Sequence, residues 1–112
     1  MDKSAQPAET MKPLRILLLE NIHPSAATVF GAARIQVETL KGALKEPELS
    51  ARLASVDVLG IRSKTTLSAE SLARAPHLIS IGCFCIGTNQ VDLAAANRRG
   101  VPVFNAPFSN TR

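Results

Sequence analysis

The chain has 112 residues, 46% of them hydrophobic and 20% charged, with four Phe and no Trp or Tyr; this is the length and composition of one folded domain with an aliphatic core and excludes a disordered polypeptide. Its net charge of +4, from 13 Lys and Arg against nine acids, biases it toward anionic partners, but the basic residues are scattered and no Trp or Tyr can stack on bases, so nucleic acid is not expected. No apolar run approaches the roughly 18 residues of a membrane span, and the opening "MDKSAQPAETMKP" lacks the apolar middle of a secretory signal, so a cytoplasmic protein without a membrane partner is expected.

Residues 1–13 are polar and carry Pro7 and Pro13, the pattern of a disordered tail. Short apolar runs of strand length follow at Arg15–Leu19, Ile35–Leu40, Val56–Ile61, Leu78–Gly82 and Val101–Phe104. Between them lie helical patterns. "HPSAATVFGAA" has Pro24 early, where a helix tolerates it. "EPELSARLAS" sets Leu49 and Leu53 on one face behind Pro47. "SAESLARA" offers Ser68 as N-cap. "NQVDLAAANRRG" places Asn89 and Asp92 for a reciprocal cap, Asn89 opening the helix, and Gly100 as terminator. Alternating strands and helices, with strands apolar almost throughout, predict an α/β doubly wound parallel sheet in a three-layer sandwich.

In such sheets ligands bind beyond the carboxyl ends of the strands. The loops there read "ENIHP", "KGALKEP", "RSKTT", "CFCIGTNQ" and "NAPFSNTR". Arg62, Ser63, Lys64 and Thr65 put two cations and two hydroxyls at one strand end. An Arg fork there could grip a phosphate or carboxylate, yet position alone leaves open that Arg62 and Lys64 are solvated surface charges. Lys41 could add a further cation. Gly82 and Gly87 would permit unusual backbone conformations and expose amides to a ligand just before a helix N-terminus. Cys83 and Cys85 are one residue apart, too close for a good disulfide, and His23 and His77 lie in other segments. No metal is assigned, no base stands near Cys85 in sequence, and both cysteines read as buried fillers. The chain holds no G-x-G-x-x-G, no Walker loop and no Ser-centred elbow.

The segments "KGAL", "GIRSKT" and "IGCFCIGTNQVDLAAANRRGVPVFNAPFSNTR" resemble the amino-terminal part of the bacterial and yeast D-3-phosphoglycerate dehydrogenase family, within the D-isomer-specific 2-hydroxyacid dehydrogenases. The resemblance implies that residues 14–112 are the first part of a flavodoxin-like substrate domain, with a nucleotide-binding domain beyond this chain. It also implies an NAD-dependent oxidation of 3-phospho-D-glycerate, in serine synthesis, by a homo-oligomeric enzyme. The catalytic Arg, Glu and His and the NAD loop would lie past Arg112, so the 112 residues alone would be inactive. On the matching positions, Arg62 and Ser63 would hold the anionic substrate, the amides of Cys85, Ile86 and Gly87 would face its carboxylate, and Asn110 would stand near the cleft. Lys41 would be a phosphate candidate. Two alternatives stay open: a stand-alone flavodoxin-like anion-binding module, and a 2-hydroxyacid dehydrogenase with an unphosphorylated substrate.

Overall fold

The computed structural model describes residues 13–26, 34–85 and 87–105. Its elements in chain order are β1 (Leu14–Leu18), β2 (Ile35–Thr39), α1 (Glu48–Leu53), β3 (Val58–Ile61), α2 (Ala69–Ala73), β4 (Ser80–Cys83), α3 (Leu93–Arg98) and β5 (Val103–Asn105). All five strands run parallel in the order β2-β1-β3-β4-β5, the flavodoxin-like order expected.

The pleat of the strands divides the core in two. Ile16 and Leu18 point to one face of the sheet, Leu17 and Leu19 to the other. Leu17, Leu59, Ile61 and Ile81 meet Leu49 and Leu53 of α1, Leu72 of α2, and Ala95 and Ala96 of α3. The opposite face buries Ile16, Leu18 and Val58 under Ile22, Ala26 and Phe84. This division follows from right-handed crossovers. The chain steps from β1 to β2 in one direction and then from β2 through β3 to β5 in the other, so its connections fall on opposite faces.

Three strands begin two residues later than the apolar runs suggest. Val56, Leu78 and Val101 are buried, but each is a core anchor in the turn leading into its strand. Of the first helical pattern, residues 24–26 form a single 3₁₀ turn, and residues 27–33 lie outside the described residues. The Ser68 cap is present: its hydroxyl accepts the Ser71 N–H at 3.1 Å. Gly100 ends α3 at φ 72, with the Val101 N–H donating back to the Ala96 carbonyl.

Two expectations for the fourth loop are corrected. The first concerns the helix start, because α3 opens at Asp92, whose carboxylate accepts the Ala95 N–H at 3.0 Å, and not at Asn89. Residues 88–91 are drawn instead into a turn and a parallel bridge, in which Leu67 N–H donates to the Gln90 carbonyl and Asp92 N–H to the Leu67 carbonyl. The loop amides at Gly87 are therefore not at a helix N-terminus.

The second concerns the glycines. Neither Gly82 nor Gly87 adopts the left-handed conformation. Gly82 lies within β4, in one row across the sheet with Leu18, Gly60 and Phe104. A Cβ on Gly60 would come within 2.6 Å of Leu18 Cδ2, and one on Gly82 within 3.0 Å of the Phe84 and Phe104 rings. The two bare positions give Phe84 space to fold back under the sheet.

Candidate functional site

The strand order reverses between β1 and β3, which are neighbours in the sheet although β2 separates them in sequence. The crevice at such a reversal, beyond the carboxyl ends, is where doubly wound folds bind ligands. Glu20 follows β1 there, and Arg62 follows β3.

Glu20 and Asn21 take left-handed conformations, φ 60 and 61, uncommon for non-glycine residues. Neighbouring hydrogen bonds hold the bend: Glu20 N–H to the Gly42 carbonyl, Asn21 N–H to the Leu40 carbonyl, and Leu19 N–H to the Gly60 carbonyl. The bend turns the Glu20 carboxylate onto the loop after β3, where it accepts the N–H groups of Arg62 at 3.0 Å, Lys64 at 2.9 Å and Thr65 at 2.9 Å. Glu20 is only 9% exposed. A buried carboxylate is tolerated only when it is well hydrogen-bonded, and three amides of one loop donate to it.

Those amides are thus spent inside the protein, and what the loop can offer a ligand is its side chains. Arg62 is half-buried, Ser63 and Lys64 are exposed, and Thr65 is fully buried. The Arg62 Nε is buried without a hydrogen-bond partner, and no carboxylate pairs with Arg62 or Lys64 among the described residues. A planar cation with an unfilled donor beside a strand end fits an anion that can accept in bidentate fashion.

The fourth loop joins this cluster through Gln90. Its Nε2 donates to the Arg62 carbonyl at 2.7 Å and contacts Cys85 Sγ at 3.2 Å, while the Cys85 thiol donates to the Gly87 carbonyl at 3.2 Å. Asn105, at the end of β5, donates from its side chain to the carbonyls of Cys83 and Cys85. Cys83 is buried as expected. Burial, and after it the neighbouring Cys85 and Glu20, pushes its thiol up to about 11, which removes it as a nucleophile. Cys85 departs from a plain filler, since it is half-buried within a polar network.

The structure therefore brings Arg62, Ser63, Cys85 and Gly87 to one end of the sheet, linked through Gln90. Lys41 lies beyond the end of β2, two strand spacings, about 10 Å, from the row of β3. Ile86 and Asn110 lie outside the described residues. Sequence reasoning missed Glu20, Gln90 and Asn105. A carboxylate directly after the apolar run "RILLL" was the one signal available, since a charge at that depth needs partners.

The first βα turn does not fit a dinucleotide. It has no glycine, its amides at Glu20 and Asn21 are already donated, and it carries a carboxylate, which would repel a pyrophosphate. Among the described residues no three His, Cys, Asp or Glu side chains gather as for a metal, and no helix is long and apolar enough to cross a membrane.

Residues 16–112 match the family described as D-isomer specific 2-hydroxyacid dehydrogenase, catalytic domain, and the chain belongs to that family. Within it, the chain is 52% identical over 99 residues to D-3-phosphoglycerate dehydrogenase 1 of Saccharomyces cerevisiae, covering 88% of this chain and 21% of that protein. It is 51% identical over 100 residues to D-3-phosphoglycerate dehydrogenase of Haemophilus influenzae, covering 88% and 24%. The chain thus spans about a quarter or less of the length of these relatives. Among solved structures, the TT0316 protein from Thermus thermophilus superposes with TM-score 0.70 at 29% identity, covering 85% of this chain and 31% of that one. The NAD+-bound 3-phosphoglycerate dehydrogenase of Entamoeba histolytica superposes with TM-score 0.70 at 18% identity, over 86% and 33%, a likeness of fold alone.

Proposed function

We propose that this chain is the first part of the substrate domain of an NAD-dependent dehydrogenase that oxidises the C2 hydroxyl of 3-phospho-D-glycerate to the ketone, the first step of L-serine synthesis. The observation that carries the reading is the identity of about half of all residues with D-3-phosphoglycerate dehydrogenases across 88% of the chain. The geometry supports it. Arg62 stands at the reversal of strand order with an unfilled donor, and Ser63, Lys64, Cys85 and Gly87 lie at the same end of the sheet.

In this reading Arg62 and Ser63 bind an anionic group of the substrate, the amides of the Cys85, Ile86 and Gly87 segment face the carboxylate, and Asn110 lies at the mouth of the cleft. Lys64 and Lys41 bias the region toward phosphate. Two anionic groups on one substrate suit such a spread of cations better than a single carboxylate does. NAD would accept the hydride from C2, bound by a nucleotide domain outside these 112 residues, because nothing in the first βα turn could hold it. The whole enzyme would be a homo-oligomer, and the 112-residue chain alone would be inactive.

The test is spectrophotometric. The full-length protein carrying this segment is expected to form NADH from 3-phospho-D-glycerate and NAD, and the 112-residue chain to form none. Turnover of D-lactate or D-glycerate in preference to the phosphorylated acid would replace the substrate assignment with an unphosphorylated one. NADH formation by the 112 residues alone would refute the division of labour.

A further inference from the structure

We propose that Glu20 and Gln90 are positioning residues that grip the main chain of Arg62 from its two sides and so aim its guanidinium at the substrate anion; the inference rests on the reading of Arg62 as a substrate contact. Glu20 accepts the Arg62 N–H and Gln90 donates to the Arg62 carbonyl, at 3.0 and 2.7 Å. Both peptide groups flanking Arg62 are therefore fixed by side chains from other loops, 42 and 28 residues away in sequence. The Lys64 and Thr65 amides close the same loop onto Glu20, so the segment cannot shift as a unit without breaking all three contacts.

The chemistry of the grip matters as much as its geometry. A buried carboxylate next to an arginine would ordinarily form an ion pair and cancel the cation. Here Glu20 Oε2 takes two amides and Oε1 one, so three of its roughly four acceptor sites are committed to the backbone. No carboxylate pairs with Arg62 among the described residues, so its charge is not cancelled, and its Nε is buried without a partner. Glu20 thereby orders the loop without neutralising the side chain the loop presents.

The test uses the full-length protein with Glu20→Gln, Gln90→Ala and Arg62→Ala, singly and combined. In Glu20→Gln a side-chain NH2 must face one backbone N–H, so hydrogen exchange at Arg62, Lys64 and Thr65 should accelerate while Val58–Ile61 of β3 stay protected. Unchanged exchange in that loop would overturn the grip itself. Kinetically, Glu20→Gln and Gln90→Ala should each raise KM for 3-phospho-D-glycerate about tenfold with KM for NAD unchanged within about twofold, since only the Arg62 contact is misaimed. In the Arg62→Ala background neither change should cost anything more. Equal losses with and without Arg62 would overturn the positioning role, reducing both residues to general supports. If Arg62→Ala itself leaves KM for 3-phospho-D-glycerate unchanged while the loop amides remain protected, the grip stands and the assignment of Arg62 to the substrate falls. Should Glu20→Gln fail to fold, Gln90→Ala, at a half-buried position, decides the kinetic question.

Discussion

The two ends of the sheet both carry polar groups and clefts, and they differ in how those groups are used. At the amino end, Arg15, Ser55, Asp57 and His77 border a broad hollow of about 470 Å³, yet its arginine is already engaged: Arg15 N–H donates to Asp57 Oδ2 at 2.9 Å and Arg15 Nη1 to the Ser55 carbonyl at 3.3 Å. At the carboxyl end, a buried Glu20 is bound by three backbone amides and Arg62 has no carboxylate partner among the described residues. Volume favours the first end. A cation that no carboxylate cancels, in a partly buried setting, favours the second, since electrostatic interactions strengthen as water is removed, and the second is the candidate site. The lesson is that a hollow is defined by missing atoms, whereas a binding site is defined by donors whose partners are missing.

That contrast can be broken most directly by a pair of arginine variants. Arg62→Ala in the full-length protein should lower kcat/KM for 3-phospho-D-glycerate about 100-fold or more, as expected for losing a charge-assisted bidentate contact. Arg15→Ala should leave it within about twofold and stability within about 0.5 kcal/mol, as for other exposed surface changes. Comparable kinetic losses in both would mean that the amino end participates. The next largest effect concerns the packing that supports the carboxyl end. Gly60→Ala forces a methyl to within 2.6 Å of Leu18 Cδ2 and 3.1 Å of Phe84, and overpacking of this kind costs about 1–3 kcal/mol in urea unfolding. Gly42→Ala, which meets nothing within 4 Å, serves as its control and should change stability by less than about 0.5 kcal/mol. Smaller again, Asp92→Ala removes the cap of α3 and should cost about 1 kcal/mol by the same measurement.

How far the sequence could be read follows the range of the interactions involved. The parallel sheet was legible because runs such as "RILLL" and "VDVLGI" report burial on both faces directly, and Ser68 and Gly100 were legible because caps act within a few residues. The Arg62 loop was legible as a cluster of cations at a strand end. What could not be read was the spending of its amides: Glu20 reaches it across 42 to 45 residues, and no local pattern encodes that pairing. The start of α3 failed for the same reason. Asn89 has good capping chemistry, but the bridge between Leu67 and Val91 is a long-range contact that outweighs it. Gly82 was misjudged because a glycine can serve conformation or space, and only the Phe84 and Phe104 rings show that here it serves space.

The smallest expected effect separates the second carboxylate of the carboxyl end from the first. Glu46, exposed just before α1, accepts the Ser50 N–H at 3.2 Å and the Ser71 hydroxyl, so that it ties α1 to α2 as Glu20 ties β1 to the loop after β3. The Ser50 side chain beside it, then the Ser71 hydroxyl, hold its carboxyl below the ordinary value of 4.5; the Ser50 hydroxyl closes no hydrogen bond of its own, so the Ser71 contact is the one a variant can remove cleanly. A carboxyl whose folded value is lowered contributes stability that is complete above its unfolded value and is lost as pH falls from there through the folded value. Unfolding free energy should therefore decline below about pH 4.5, and Glu46→Gln or Ser71→Ala should flatten part of that decline while leaving the neutral-pH kinetics of the full-length protein unchanged. An acid limb of the same steepness in all three proteins would show that solvent screens this link completely, setting the exposed Glu46 apart from the buried Glu20.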